Sequence, residues 1–299
     1  MSEMNKVYGK SKENYTAKIK RKEWTVFIIC IILSVICLLP MYILFINATR
    51  DSAKIASSIS FIPGGSLAKN IKTLFKDVNY STVYNVLIGY RNSLIITAFC
   101  TIFTVFFSTM TAYGLHVYSF KLRNAAYTMI LAVMMVPMQV TSAGFVAFML
   151  KVGLTDTYWP LILPAIAAPA VVYFMTAAMK DNGIPLSIVE AARIDGCGEF
   201  RTFISIALPM MRTSIAVQSI FAFIASWNNF YTPNMILISS KFNQKTLPMM
   251  ISAIQASDKF TDYGAIYLAL SLSIIPLIIV YAIFSRQIVG GLAEGGVKE

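Results

Sequence analysis

Long apolar runs alternate with short polar segments along almost the whole chain. A helix that crosses a membrane needs about 20 predominantly apolar residues. Six runs reach this length, and none of them contains Lys, Arg, Asp or Glu. They are residues 24–48, 93–115, 125–150, 160–179, 213–239 and 263–285. The pattern predicts an all-α, polytopic membrane protein with six transmembrane helices.

Polar segments divide the rest of the chain. A basic arm, residues 1–23, precedes a membrane domain at residues 24–285, and residues 286–299 form a tail. Inside the membrane domain lie two long polar segments, residues 49–92 and 181–209. The first contains the turn signal Pro63-Gly64-Gly65 and predicts a short helix near residues 71–75.

Prolines interrupt two of the apolar runs. Pro137 lies in the third run, and Pro164 and Pro169 lie in the fourth, beside several alanines. Membrane helices tolerate proline where neighbouring groups satisfy the freed backbone, and small residues let helices pack closely. The third and fourth spans are therefore predicted to form a kinked, closely packed part of the bundle.

Composition and charge agree with a membrane protein. The chain is 57% hydrophobic and 13% charged, with a mean hydropathy of +0.67, which excludes a soluble and a disordered class. The net charge of +11 is not arranged as a nucleic-acid interface, since no basic stripe is interleaved with aromatic residues. Lys and Arg crowd the arm instead, which predicts that the arm stays in the cytoplasm against anionic membrane lipid. Six spans then bring both termini to the cytoplasm.

Chemistry within this chain is not indicated. The four cysteines, Cys30, Cys37, Cys100 and Cys197, have no paired spacing and are interpreted as small packing residues rather than disulfide or metal sites. Ion-coupled carriers keep an ionisable group in the bilayer, but the six runs lack one, and the only histidine, His116, ends the second run. No catalytic residue, metal ligand or cofactor site is expected here. Uphill transport would need another chain to hydrolyse the fuel.

The segment at residues 181–209 has the form of a docking device. Pro185 suits the start of a helix at residues 186–194, and Gly196 permits a sharp reversal into a second helix at residues 199–206, which Leu208-Pro209 would end. The alternative is an amphipathic segment that lies on lipid.

Small and charged side chains alternate on the first of these helices. Ala191 and Ala192 leave one face flat enough to enter a cleft, while Glu190, Arg193 and Asp195 can pair with a partner.

The order of these residues resembles a known family. Glu190-Ala191-Ala192, Asp195-Gly196, Phe203, Ile206 and Leu208-Pro209 are similar to the EAA loop of binding-protein-dependent ABC importer permeases. Cys197 stands where alanine is common and Thr213 where a second proline often follows. Residues 136–139, 153–159, 226–230 and 290–298 resemble the carbohydrate branch, the maltose-permease-like inner-membrane subunits.

The resemblance implies a type I ABC importer permease fold in a bacterial-type cell membrane. It implies a homologous permease as heterodimer partner, two ATPase subunits that bind ATP and Mg, and an extracytoplasmic binding protein that delivers a sugar or oligosaccharide. It assigns the coupling to the ATPase to Glu190, Ala191, Ala192, Asp195 and Gly196. A non-sugar solute such as a peptide stays an alternative substrate, and a self-sufficient secondary transporter stays an alternative function.

A substrate path can be placed by depth. Gln139 and Trp227 each lie about 14 residues from the inner end of their run, or roughly 20 Å at ~1.5 Å per residue. The same level holds Thr141, Ser142, Asn228 and Asn229. Neutral amides, hydroxyls and an aromatic ring suit a neutral sugar, so these six residues are predicted to line the path. The alternative is that they join helices by hydrogen bonds. Asn229 stands where the family often has an acidic residue, so no role that needs that charge carries over.

Overall fold

The computed structural model describes residues 2–77, 85–239, 242–256 and 262–296, and these residues form helices and turns without a β-strand. The helices are α1 (Ser2–Ala48), α2 (Ser52–Ser57), α3 (Leu67–Lys76), α4 (Val86–Val117), α5 (Arg123–Met134), α6 (Met138–Val152), α7 (Trp159–Ile162), α8 (Pro169–Ala178), α9 (Leu186–Ile194), α10 (Glu199–Thr202), α11 (Leu208–Met210), α12 (Arg212–Trp227), α13 (Tyr231–Ile236), α14 (Leu247–Gln255) and α15 (Tyr263–Gly296). Short 3₁₀ turns cover Leu163–Ile166 and Phe242–Gln244, and π-helical turns cover Met179–Gly183 and Phe203–Ala207. The predicted all-α class is confirmed, and the helix predicted near residues 71–75 is α3.

The chain divides into two compact units. The first comprises the described residues of 1–71 and 261–271. Its α1 begins at Ser2, so the backbone of residues 2–23 is already helical, and the apolar side chains that follow Trp24 are exposed, as lipid contact requires. Behind α1, the buried Arg50 guanidinium donates to the Asn47 amide oxygen and to the Lys54 and Ser58 carbonyls. These bonds tie the loop after α1 to its end.

The second unit, 72–260 and 272–299, is organised around α4. Helices α8, α12 and α14 pack along it. Close approach is required at Gly89, where an added Cβ would lie 2.7 Å from the Met250 sulfur. At one end of α4 a buried apolar core joins residues from α4, α8 and the segment after it: Ala112, Tyr113, Met175, Met179, Ile184, Val189, Phe203, Ala207 and Met211. This core holds the segment at residues 186–210 against the membrane helices.

The six predicted spans are not all continuous helices. Among the described residues, four helices are long and apolar enough to cross a membrane: Lys20–Ala48, Val86–Val117, Trp159–Ala178 and Tyr263–Ser285. A fifth arises if Glu199–Met210 and Arg212–Trp227, which meet at 83°, count as one bent span. The six-span count therefore stays a prediction.

Two predicted spans need correction in their extent. The run at residues 125–150 separates into α5 and α6, because Pro137 lacks an amide hydrogen and has an extended conformation just before α6. The run at residues 213–239 is helical only to Trp227, and α13 follows as a separate short helix. The predicted kink in the fourth span is confirmed: a 3₁₀ turn separates α7 from α8, and α8 begins with Pro169.

Candidate functional site

The first candidate site is a helix-turn-helix formed by residues 186–210, called the elbow below. Gly196 has a left-handed conformation with φ of +75°. The amide of Cys197 donates to the Ala192 carbonyl at 2.9 Å, and the amide of Gly196 donates to the Arg193 carbonyl at 3.0 Å. This pair of bonds is the Schellman ending of a helix, which places glycine at the left-handed position. The predicted helix at residues 186–194 and the reversal at Gly196 are confirmed.

The second helix of the elbow is longer than predicted. It continues from α10 through the π-helical turn into α11, and ends at Met211. Pro209 does not end it, since the helix passes from the π-helical turn Phe203–Ala207 through Pro209 to Met210. The predicted end at Leu208-Pro209 is therefore wrong.

One face of the elbow belongs to the core at the end of α4. Phe203 is the centre of that contact, with ring centroids 5.9 Å from Phe106 and 5.3 Å from Tyr113. Ala192 is also buried in this face. The prediction that Ala191 and Ala192 together present a flat docking face is therefore wrong for Ala192, which packs inward while Ala191 is exposed.

The opposite face is open to a partner. Glu190, Asp195 and Gly196 are exposed beside Ala191. Two apolar side chains stand out on this face, since Ile194 is 86% exposed and Phe200 is 66% exposed. Sequence reasoning missed both. For Ile194 the available signal was its phase, because it does not share the three- or four-residue spacing that joins the buried Val189 and Ala192. Phe200 lies three residues before the buried Phe203, so spacing would not have found it.

A polar cluster closes the elbow onto the end of α4. Arg193 forms a two-pronged contact with Glu199, from Nε to Oε1 at 2.7 Å and from Nη2 to Oε2 at 3.2 Å. The Tyr118 hydroxyl donates to Glu199 Oε2 at 2.5 Å, and the Arg193 guanidinium lies 5.5 Å from the centroid of the Tyr118 ring. Arg193 was predicted to pair with a partner, but it is engaged within the chain.

The cluster shifts the ionisation of its members. Hydrogen bonds from Arg193, and secondly from Tyr118, lower the pKa of Glu199, because both stabilise its carboxylate. The pKa of Tyr118 is raised, first by desolvation and then by its bond to the Glu199 carboxylate. At neutral pH the cluster therefore holds an ionised Glu199 between a cation and a neutral phenol.

The second candidate site is a cavity in the second unit, with a volume of about 1120 Å³. Residues of α4, α6, α7, α8, α12 and α13 line it. Most of the lining is apolar, and no Asp, Glu, Lys, Arg or His belongs to it in the described part of the chain. Among the described residues, no three side chains of His, Cys, Asp or Glu lie close enough together to hold a metal ion.

The cavity brings together most of the residues predicted for the path. Thr141, Ser142, Trp227 and Asn229 line it, whereas Asn228 is exposed outside the lining. Gln139 lies on α6, and its side chain falls outside the described residues. Asn228, which follows the last residue of α12, lies outside the lining of this cavity, and its place on the substrate path stays a prediction.

Trp227 is held in the wall. It is 2% exposed, its ring stacks on Phe223 at 5.8 Å, and the Tyr90 ring meets it edge-on at 5.4 Å. Its Nε1–H donates to the Ser273 carbonyl at 3.0 Å. The sequence predicted an aromatic face for a sugar, but this ring packs against protein and leaves little surface for a ligand.

A proline explains the neighbouring contact of Tyr90. Pro276 lies inside α15 and has no amide hydrogen, so the Leu272 carbonyl four residues earlier lacks its helical donor. The Tyr90 hydroxyl donates to that carbonyl. Other polar groups of the wall also join helices, as Ser226 does by donating to Thr97 at 3.3 Å. Polar residues at this level thus line the cavity and bind helices together.

Apolar spans, an uncharged internal cavity and an exposed elbow define a polytopic membrane protein of the transport class. The family described as "Binding-protein-dependent transport system inner membrane component" matches residues 104–293, and the chain belongs to this family. The resemblance found in the residues of the elbow is confirmed. This family makes the chain a permease component of a transport system rather than an enzyme.

Named relatives cover nearly the whole chain. The arabinooligosaccharides transport system permease protein AraQ of Bacillus subtilis (strain 168) is 32% identical over 89% of this chain and 92% of its own length. AraQ of Halalkalibacterium halodurans is 35% identical over 80% and 88%, and the lactose transport system permease protein LacG of Rhizobium radiobacter is 29% identical over 87% and 90%.

A solved structure has the same fold. It is a bacterial ABC transporter involved in the import of the acidic polysaccharide alginate, with a TM-score of 0.74 over 88% of this chain and 94% of that chain. At 18% identity this similarity supports the fold alone.

Proposed function

We propose that this chain is the permease subunit of an ATP-driven importer for an uncharged sugar or oligosaccharide. The observation that carries the proposal is the 1120 Å³ cavity with hydroxyl and amide groups and no ionisable lining residue among those described. A neutral sugar needs hydrogen-bond partners for its hydroxyls and apolar surface for its rings. The names of AraQ and LacG point to the same substrate class.

The described lining of the cavity has no charged residue, and this distinguishes a neutral sugar from the charged substrates named for two related systems. The permease UgpE of Yersinia pestis, 30% identical, is named for sn-glycerol-3-phosphate, and the solved importer is named for an acidic polysaccharide. An anionic solute in a low-dielectric cavity needs a cation or several oriented donors close to it. The lining described for this chain offers no cation, which favours a neutral solute.

Coupling is assigned to the exposed face of the elbow. Glu190, Ala191, Asp195 and Gly196 contact the ATPase in this proposal, whereas Ala192 supports them from the buried side. Ile194 and Phe200 join them as apolar anchors, since exposed apolar side chains ringed by polar ones are typical of docking sites. ATP and Mg are bound by two ATPase subunits, which act on the heterodimer of this chain and a homologous permease.

The remaining assembly follows from the same proposal. An extracytoplasmic binding protein delivers the sugar, and both termini lie in the cytoplasm, with the basic arm at the anionic lipid surface.

The first experiment tests the assembly. The tagged chain is purified in mild detergent from cells that contain its partners, as wild type and as Gly196→Asp, and the co-purifying chains are identified. Wild type should retain an ATPase, a second permease and a binding protein, and Gly196→Asp should lose the ATPase. Gly198→Asp is the matched control, since Gly198 lies in the same turn at a negative φ. A chain that purifies alone and still transports would contradict the proposal.

The second experiment tests the substrate. Vesicles that contain the assembled importer are supplied with radiolabelled arabinotriose, lactose, sn-glycerol-3-phosphate or a tetrapeptide, with ATP inside or absent. ATP-dependent uptake should be confined to the neutral saccharides. Preferred uptake of the phosphate or the peptide would overturn the substrate class, and uptake that an ionophore abolishes would indicate a secondary transporter.

A further inference from the structure

The wall of the cavity contains a broken helix whose carbonyl groups need partners. Between α7 and α8 the chain makes a 3₁₀ turn and then leaves helical geometry at Ala167 and Ala168. Pro169 has no amide hydrogen, so the Ala165 carbonyl four residues earlier cannot receive a helical hydrogen bond from it. Inside a membrane such a carbonyl needs another donor, which is either a protein group or water in a cavity.

Helix α4 supplies a donor to the Ala165 carbonyl, and two further side chains on the same face of α4 contact the Leu161 and Ala168 carbonyls. The Ala168 carbonyl also accepts from the Val171 amide at 3.0 Å, so Ala165 is the carbonyl that depends on α4. Thr104 donates through Oγ1 to the Ala165 carbonyl at 3.0 Å. One turn before it, Cys100 Sγ lies 3.3 Å from the Leu161 carbonyl, and one turn after it, Ser108 Oγ lies 3.4 Å from the Ala168 carbonyl. The three donors, Cys100, Thr104 and Ser108, are four residues apart and form what we call the donor ladder. Donors and acceptors follow one another in the same order, so α4 and the broken helix run side by side in the same direction.

Three threonine hydroxyls of α4 near the ladder form no hydrogen bond to another helix in the described part of the chain. Thr109 and Thr111 donate to carbonyls of their own helix, those of Val105 and Phe107 four residues earlier. Thr101 Oγ1 is buried and has no hydrogen-bond partner among the described residues. A hydroxyl on α4 therefore does not reach a neighbouring helix by default, and the ladder reflects the position of the broken segment.

Both sides of the ladder face the cavity. Cys100 and Thr104 line it from α4, and Leu161, Pro164, Ala165 and Ala168 line it from the broken helix. A shift of the broken segment would move these lining residues directly. The bond at the proline break thus controls the shape of this wall.

We propose that Thr104 is a positioning residue of the translocation cavity. By donating to the carbonyl that Pro169 leaves without a partner, Thr104 holds the broken segment against α4, and Cys100 and Ser108 support it one turn to either side. The inference rests on the proposed function only where it identifies the cavity as the path of the sugar.

The reactivity of the Cys100 thiol shows whether the donor ladder is intact, and this measurement does not require the substrate to be known. The other cysteines are replaced by alanine (Cys30→Ala, Cys37→Ala, Cys197→Ala), and the full chain is kept in membranes with its partner subunits. The rate at which N-ethylmaleimide modifies Cys100 is then measured. The wild-type thiol is 8% exposed and should react slowly.

Three variants separate the bond from the bulk of the side chain. Thr104→Val keeps the shape and loses the donor, and it should raise the rate about threefold, the factor that matches an average hydrogen bond between membrane helices. Thr104→Ser keeps the donor and should react like wild type. Thr101→Val is the matched control on the same helix and should also react like wild type. Equal rates for Thr104→Val and Thr101→Val would overturn the proposal.

The same variants keep the test decisive if a protein is lost. If Thr104→Val does not accumulate in the membrane, normal accumulation of both Thr104→Ser and Thr101→Val supports the proposal. Failure of Thr101→Val to accumulate as well overturns it.

The two proposals can fail separately. The labelling rate of Cys100 reports the packing of the cavity wall and does not depend on which solute is transported. If Thr104→Val changes the labelling rate as expected but ATP-dependent saccharide uptake keeps its KM and rate, the ladder stands and the cavity is not the path. If uptake proves specific for another solute while labelling behaves as expected, only the substrate class is overturned.

Discussion

The ion pair of the elbow joins residues close in sequence and faces solvent, whereas several hydrogen bonds around the cavity join helices far apart in sequence and are partly buried. Arg193 and Glu199 are six residues apart and both exposed. Thr104 bonds to a carbonyl 61 residues away, and Tyr90 to one 182 residues away. Bulk water can replace a lost partner in the exposed elbow, whereas a partly buried carbonyl of the wall has fewer alternative donors. The elbow can therefore form and adjust its own geometry, while the wall depends on several helices at once.

The largest effect is expected where the elbow depends on backbone conformation rather than on a contact. Gly196→Ala places a Cβ at φ of +75°, which costs about 1–2 kcal/mol and lowers the population of the native turn roughly 5- to 30-fold. The ATPase recovered in pull-downs and ATP-dependent uptake should fall accordingly. Gly198→Ala is the control, because both added Cβ atoms meet open space and only Gly196 has a positive φ. Equal losses in the two variants would contradict the Schellman ending as the cause.

The next prediction concerns a hydrogen bond between two helices of the cavity wall. Tyr90→Phe leaves the Leu272 carbonyl without this donor and should destabilise the protein by about 1 kcal/mol, the lower end of the cost of an unpaired polar group, because the contact is partly buried. The thermal unfolding midpoint in detergent measures the loss. Tyr281→Phe, on the exposed part of α15, should leave the midpoint unchanged.

Pro276→Ala provides the complementary test. The new amide hydrogen can bond to the Leu272 carbonyl, so Tyr90→Phe with Pro276→Ala should regain most of the lost stability. No recovery would indicate that Tyr90 stabilises the wall by packing alone.

A smaller effect is expected from the exposed ion pair of the elbow. Arg193→Glu and Glu199→Arg should each lower ATPase retention a few-fold, less than Gly196→Ala does, because solvent screens exposed charges. The double exchange restores opposite charges and should recover part of the retention. If the double exchange recovers none of the ATPase retention, Arg193 itself contacts the ATPase.

The same cluster predicts a dependence on pH. The pKa of Glu199 is below its ordinary value of 4.5 in the closed elbow, so the cluster stabilises the elbow fully above that ordinary value and loses this effect as pH falls through the lowered pKa. A fluorophore on Cys197, in the turn, should give a constant signal from pH 8 to about pH 5 and change only below that range. Glu199→Gln should remove the transition. A transition near neutral pH would contradict the assignment to Glu199.

The smallest effect distinguishes two neighbouring amides. Asn228→Ala should leave uptake unchanged, because this side chain is exposed outside the cavity. Asn229→Ala should reduce uptake modestly, since Asn229 lines the cavity and its Oδ1 accepts from the Thr232 amide at 3.3 Å. A loss in Asn228→Ala equal to that in Asn229→Ala would return both residues to the path.

Sequence reasoning predicted the elbow better than the wall, for a physical reason. The helix at residues 186–194 and the reversal at Gly196 depend on local conformational preferences. The burial of Ala192 depends on the core at the end of α4, to which α4 contributes Tyr113. The polar cluster also needs Tyr118, just beyond that end, and the local sequence pattern contains neither residue.

Prediction from the sequence is limited even more at the cavity wall. Depth along two helices grouped Trp227 with Asn228 and Asn229, but depth does not define the direction of a side chain. Asn228 is exposed outside the cavity lining, and packing with Phe223 and Tyr90 takes up the indole ring.

The sequence by itself determined the membrane class, the family and the turn of the elbow, because hydrophobic run length and a glycine at a left-handed position act through the residues themselves. Only the tertiary structure decided which donors satisfy the carbonyls released by Pro169 and Pro276. Those bonds join Thr104 to Ala165 and Tyr90 to Leu272, and they form only after distant helices have packed.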